Sequence, residues 1–138
     1  MSSPYLLDTN ILIAALKGRP EVQQRLETLS LTVIHLSAIV LGELEFGAEK
    51  SAYGERNRAR LAALVQRLPL VGIDHVTTRH YAKIRAVLEL QGTPIGANDT
   101  WIAAQALAIN ATLVTDNERE FSRVPGLQLE NWIAKPRS

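Results

Sequence analysis

Along the chain, short runs of apolar, strand-favouring residues alternate with longer segments in which apolar positions recur three and four apart. The short runs fall at residues 5–7, 31–36, 70–73, 112–115 and near 127–129, and predict strands. The longer segments predict helices over 11–16, 21–28, 38 to about 50, 54–67 and 75–90, with a further one opening at Asn98 and Asp99 and running to Ile109. Punctuation agrees with these bounds: Gly18 and Pro20 stop the first helix, Ser37 can cap the third, and Gly92 closes the long one. Strand and helix in alternation specify the α/β class, with a central parallel sheet of about five strands flanked by helices.

Residues 38–50 and 54–67 read as a helical hairpin. The stretch from Trp101 to Ile109 is apolar almost all round apart from Gln105, so that helix is expected to be packed on more than one side. Residues 116–119 read as a turn, and 135–138 as an exposed tail. With no repeat, low-complexity segment or linker, residues 1–138 read as a single domain, and a 46% apolar composition is enough to fill one core.

A net charge of +1 excludes binding of nucleic acid by overall charge alone, so any RNA must be held by a local patch. The chain has no cysteine, which removes disulfides and thiolate metal sites and fits a reducing cytoplasm. The first residues lack a basic, then apolar, leader pattern, and no apolar run is long enough to cross a bilayer. A soluble, unprocessed protein with no membrane partner is expected.

The chain contains four aspartates: Asp8, Asp74 and Asp116 each stand immediately after a predicted strand, and Asp99 begins a buried helix. In a parallel sheet all strands point one way, so residues just past their ends collect on one edge, where open α/β folds bind ligands. Asp8 and Asp116 are therefore expected to be neighbours. Glu43 lies four residues past Ile39 and three past Val40, which aligns it with apolar, inward-facing positions. Four carboxylates meeting without a basic residue repel, one pair at 4 Å by roughly 4 kcal/mol at an effective dielectric of 20. Either some are protonated or a cation sits among them, and all-oxygen ligation suits Mg²⁺ or Mn²⁺. Taken singly, Asp8, Asp99 and Asp116 have the ordinary chemistry of helix caps and turns, and Glu43 that of a solvated helix residue. Asp74, which precedes Thr77 and Thr78 in a helical first turn, is assigned to capping alone.

Other chemistries lack their residues. His35 lies in a strand, while His75 and His80 are five apart on one helix, off the spacing that shares a face. No His-Glu-x-x-His, glycine-rich phosphate loop or Gly-x-Ser-x-Gly elbow is present.

The strings Leu6-Leu7-Asp8-Thr9-Asn10, Ser37 through Glu43-Leu44 to Gly47, Gly92-Thr93-Pro94-Ile95-Gly96 leading to Asp99 and Ile102-Ala103-Ala104, and Leu113-Val114-Thr115-Asp116-Asn117 with Phe121 resemble the PIN-domain nucleases. Ile84-Arg85-Ala86 and the ending from Pro125 to Trp132 are most similar to the VapC toxins within that family. The resemblance implies a PIN-like fold, a homodimer, and Mg²⁺ or Mn²⁺ held by Asp8, Glu43, Asp99 and Asp116. Thr9, Asn10, Thr115 and Asn117 match family positions that orient the acids or the metal's waters; ordinary turn bonding is the alternative for them. It further implies hydrolysis of phosphodiester bonds in structured RNA, such as tRNA or ribosomal RNA, within a toxin–antitoxin pair. A VapB-type antitoxin is then expected to block the acidic site.

Candidate phosphate contacts are Lys83, Arg85 and Arg119, with Lys17, Arg19 and Arg123 also near helix ends or the last turn. Three other classes fit the sequence less well. A phospho-accepting receiver domain needs an adjacent acidic pair after strand one, where this chain has Thr9 and Asn10. A PIN module that only binds RNA or a partner should have lost acids, and none is lost. A flap-type DNA nuclease carries more acids and DNA-gripping inserts than this chain has room for.

Overall fold

The computed structural model describes residues 3–133. The expected tail at 135–138 lies outside them. Five parallel strands form one sheet: β1 (Tyr5–Leu7), β2 (Ile34–Ser37), β3 (Leu70–Val71), β4 (Thr112–Val114) and β5 (Leu129–Glu130). Seven helices accompany them: α1 (Thr9–Leu16), α2 (Pro20–Glu27), α3 (Ala38–Lys50), α4 (Gly54–Arg67), α5 (His75–Leu90), α6 (Ala97–Ala108) and α7 (Glu118–Phe121). The strand order is β3-β2-β1-β4-β5. From β1 the chain winds outward to β2 and β3, then returns to lay β4 against the other side of β1. The reversal places a topological switch point at the ends of β1 and β4, where an open parallel sheet parts into a crevice.

The core is built on both faces of the central strands. Leu6, Leu7, Ile34, Leu36, Leu113 and Val114 are essentially inaccessible, as parallel strands covered on both faces require. α6 is packed as its composition predicts, with Ile102, Ala103, Ala104 and Ala106 fully buried. Gln105, the polar exception, accepts from the Ser37 hydroxyl and donates to the carbonyls of Val71 (3.0 Å) and Gly72 (3.1 Å). One side chain thus ties α6 to the ends of β2 and β3, and among the described residues no buried side-chain polar atom lacks a partner.

Several boundaries differ from the expectation for local reasons. Residues 31–33 form a 3₁₀ turn, not strand, because the Ser30 hydroxyl accepts from the Thr32 amide and tightens the chain before β2. α1 begins at Thr9, two residues early, because Asp8 caps it. α2 starts on Pro20, whose fixed φ suits a first helical position. The expected turn after Asp116 contains the short helix α7, and the last strand lies one to two residues later than expected.

Candidate functional site

Asp8 follows β1 and caps α1, accepting from the Thr9 amide at 2.9 Å. Its amide donates to the carbonyl of Val114 in β4, and its second carboxylate oxygen accepts from the buried Thr115 hydroxyl at 2.8 Å. Strands β1 and β4 are thereby stitched together where the acids stand. Asp116, next along from Thr115, accepts from Asn10 Nδ2 at 3.2 Å, so the expected proximity of Asp8 and Asp116 is found. Glu43 is half-buried on α3, as its apolar flank predicts; it accepts from the Thr9 hydroxyl at 2.5 Å and from Asn98 Nδ2 at 3.1 Å. Asp99, in the first turn of α6, completes the group.

Their protonation preferences carry the signature of crowding. Burial pushes the Asp8 carboxyl above its ordinary value; hydrogen bonds from Thr115 and Thr9 oppose the push, and the charges of Glu43 and Asp116 add to it. Asp99 is raised to about 6, first by desolvation, then by the charges of Asp8, Glu120 and Glu43 and by its contact with the Glu120 carboxylate. Every hydrogen-bond donor found on these acids is neutral. Among the described residues, the ion pairs are Arg19–Glu21, Arg25–Glu130, Arg58–Glu49 and Arg85–Glu89, none of which includes one of the four acids.

Concentrated, uncompensated carboxylate oxygen is the donor chemistry of a hard divalent cation, and the residues fit one. Among the described residues, no three acidic or histidine side chains are gathered closely enough, as they stand, to hold an ion between them. Mg²⁺ usually keeps several waters and takes only one or two protein carboxylates directly, so the donor type suits it without a full protein cage.

Thr9 holds both Asp8 and Glu43, Asn10 holds Asp116 and Thr115 holds Asp8, while Asn117 donates its amide to the Thr115 hydroxyl at 3.0 Å and its side chain to Glu120 at 3.2 Å. The basic residues are distributed differently. Arg85 is engaged by Glu89 and the Tyr81 hydroxyl, and lines a cavity that holds none of the four acids. Arg123 donates to the Pro94 carbonyl and Arg19 to Glu21. Lys83 and Arg119 are exposed, and among the described residues neither forms an ion pair with one of the acids. Lys17, by contrast, lines a cleft shared with Thr9 and Glu43. Asp74 caps α5 through Thr77, as assigned.

Two participants escaped the sequence. Glu120 stands against Asp99; its only sequence signal is a helical spacing of four from Asp116, inside a segment read as a turn. Asn98 steers Glu43 across 55 positions of chain, which no local pattern reveals.

Against known proteins, the PIN-domain family model matches residues 5–127. The chain is 43% identical over 130 residues to ribonuclease VapC2 of Rickettsia felis, covering 93% of this chain and 97% of that one. It is 39% identical over 128 residues to the tRNA(fMet)-specific endonuclease VapC of Salmonella typhimurium, with 93% and 97% covered. Among solved structures it superposes on VapBC2 from Rickettsia felis bound to a DNA fragment from their promoter, with a TM-score of 0.86, 43% identity and coverage of 93% and 98%. It also superposes on the DNA-bound VapBC of Salmonella typhimurium, with a TM-score of 0.87, 37% identity and coverage of 95% and 99%.

Proposed function

The chain belongs to the PIN-domain family, and from that premise we propose that it is a divalent-metal-dependent endoribonuclease, the toxin of a VapBC-type pair. The observation that carries the reading is the meeting of Asp8, Glu43, Asp99 and Asp116 at the β1–β4 switch point, with no cation among the described residues paired to any of them. Those four residues would hold Mg²⁺ or Mn²⁺. When bound there, it would supply polarisation of a phosphate oxygen and a more acidic water for in-line hydrolysis.

The chain's own residues do the positioning. Thr115 and the Thr9 amide fix the two oxygens of Asp8, Thr9 and Asn98 fix those of Glu43, and Asn10 holds Asp116. Preset carboxylates lose little freedom when they bind, which favours an ordered site. The raised proton affinity of Asp99 makes protons compete with the ion.

The substrate class is RNA, with tRNA the leading target given the named activity of the Salmonella typhimurium relative. Residues 1–138 act as one domain, supported by one continuous core cluster across the described residues. A VapB-type antitoxin is the partner, and the cytoplasm, where such RNA resides, is the place of action. Exposed Leu70, Ile73 and Val76, close in sequence at the end of β3 and the start of α5, support a homodimer, which light scattering checks.

The test of the function is cleavage of total RNA by antitoxin-free protein with Mg²⁺ or Mn²⁺, beside EDTA and Asp8→Asn, with sequencing of new 5′ ends. Discrete cuts that need both metal and Asp8 are expected. Intact RNA under every condition, from folded protein, overturns the nuclease reading.

A further inference from the structure

Glu43 stands between two concave surfaces. On one side lies a cleft of about 280 Å³, lined by Thr9, Ile13, Leu16, Lys17, Leu44, Arg60 and Leu61 among others. On the other is a shallow depression bounded by Ile39, Gly42, Phe46 and Asn98. Among the described residues, the Lys17 and Arg60 side chains make no ion pair or hydrogen bond, unlike Arg19, Arg25, Arg58 and Arg85. Phe46 is 64% exposed, and Lys50 Nζ lies 5.0 Å from its ring centroid. Glu43, Phe46 and Lys50 follow the three- and four-residue steps that make one stripe along α3.

We propose that a single-stranded stretch of RNA crosses the site through these two surfaces, its phosphates on Lys17 and Arg60 and an unstacked base on Phe46. The inference rests on the nuclease reading above and names the form of its substrate. A strand cut beside Glu43 must leave the acids on both sides, and two unpaired cations on one exit complement a polyanion. An exposed aromatic ring on the other exit presents a face to a base regardless of sequence. The cleft's apolar floor of Ile13, Leu16, Leu44 and Leu61 suits a base face, which a duplex keeps stacked inside. Arg60 has no place in the sequence reading, because it lies on α4, far along the chain from every acid.

The test uses the full chain and a labelled single-stranded oligoribonucleotide containing a mapped cleavage site. Binding is followed by fluorescence anisotropy in the Asp8→Asn background at several salt concentrations, and kcat and KM in the parent. Lys17→Gln with Arg60→Gln is expected to raise Kd and KM about tenfold or more, and to flatten the logarithmic salt slope by about 1.4, or 0.7 for each lost phosphate contact. Phe46→Ala is expected to weaken binding about tenfold with little change in salt slope. Arg67→Gln, on the same helix as Arg60 but outside both surfaces, should bind within about twofold of the parent, and Lys17→Arg with Arg60→Lys should restore the salt slope. Lys17, Phe46, Arg60 and Arg67 are all exposed, and circular dichroism verifies folding of each variant. Unchanged affinity and salt slope in the double variant, from a parent that still cleaves, overturn the inference and leave the nuclease reading intact. Loss of affinity for an antitoxin peptide alone also overturns it, by making the surfaces a protein seat. A parent that neither cleaves nor binds RNA defeats the underlying reading as well.

Discussion

Asp8 and Asp74 have the same local job and opposite electrostatic character. Each follows a strand, adopts an extended backbone as an N-cap, and accepts from an amide in the first turn of the following helix. Asp74 is exposed, and the Thr77 amide and hydroxyl hold its carboxyl below the ordinary value. Asp8 is only 8% exposed, and burial beside other acids drives it upward despite its own hydrogen bonds. A cap is a local device, while a site is a place where several elements deliver like charges into poor solvation. What separates the two aspartates is the company that the sheet order supplies.

The comparison breaks most sharply on activity. Asp8→Asn keeps a side chain able to cap α1 but removes a charge, and is expected to lower kcat by about a thousandfold or more, a loss of several kcal/mol in transition-state stabilisation. Asp74→Asn, the same change at the other cap, should leave kcat unaltered in the same RNA-cleavage assay. A comparable loss at both positions would dissolve the distinction.

A smaller effect is expected from the support of Asp8. Thr115→Val keeps the shape of a fully buried side chain and removes the hydroxyl that Asp8 accepts from. Loss of a hydrogen bond to a buried carboxylate costs about 1–3 kcal/mol, so kcat should fall about tenfold or more and chemical denaturation should show reduced stability. An unchanged kcat would show that Thr115 does not position Asp8.

The two environments also have opposite pH signatures. Asp99 and Asp8 are raised in the folded state, so ionising them costs stability. For Asp99 the penalty is absent well below 3.8, grows as pH climbs toward about 6, and is complete above it. Metal-free protein should therefore lose stability from this group as pH rises through that window, and Asp99→Asn should flatten the loss in thermal melts. Asp74, lowered when folded, stabilises above its unfolded value and loses that contribution as pH falls. Mg²⁺ or Mn²⁺ should raise the melting temperature more near neutrality than near pH 5, where protons compete for Asp99. Equal shifts at both pH values would remove the proposed link between Asp99 and the ion.

The smallest expected effect is that of Asp74→Ala, which removes a cap at an exposed helix end and should lower the melting temperature by a few degrees with activity intact.

Much of this organisation is legible in the sequence because it is carried by local rules. The α/β alternation, the buried character of α6 and the cap at Asp74 follow from periodicity and cap chemistry in neighbouring residues. Glu43 was visible through its apolar flank. Glu120 and Asn98 were not, because each acts on a residue brought to it by another element. Arg85, attractive as a free cation in the sequence, is occupied by Glu89 one helical turn away. The 3₁₀ turn at residues 31–33 shows apolar residues yielding to a single serine cap.

By itself, the sequence determined which segments are strand and which are helix, which faces are apolar, and that carboxylates follow the strands, since period and turn chemistry act over a few residues. Only the tertiary structure decided that β4 lies beside β1, that Thr115 bonds Asp8 across 107 positions, and that Glu120 faces Asp99. Periodicity says that a strand has a buried face but not which strand lies next to it. That choice is made by packing the whole core, and the crowding that raises Asp8 and Asp99 exists only once it has been made.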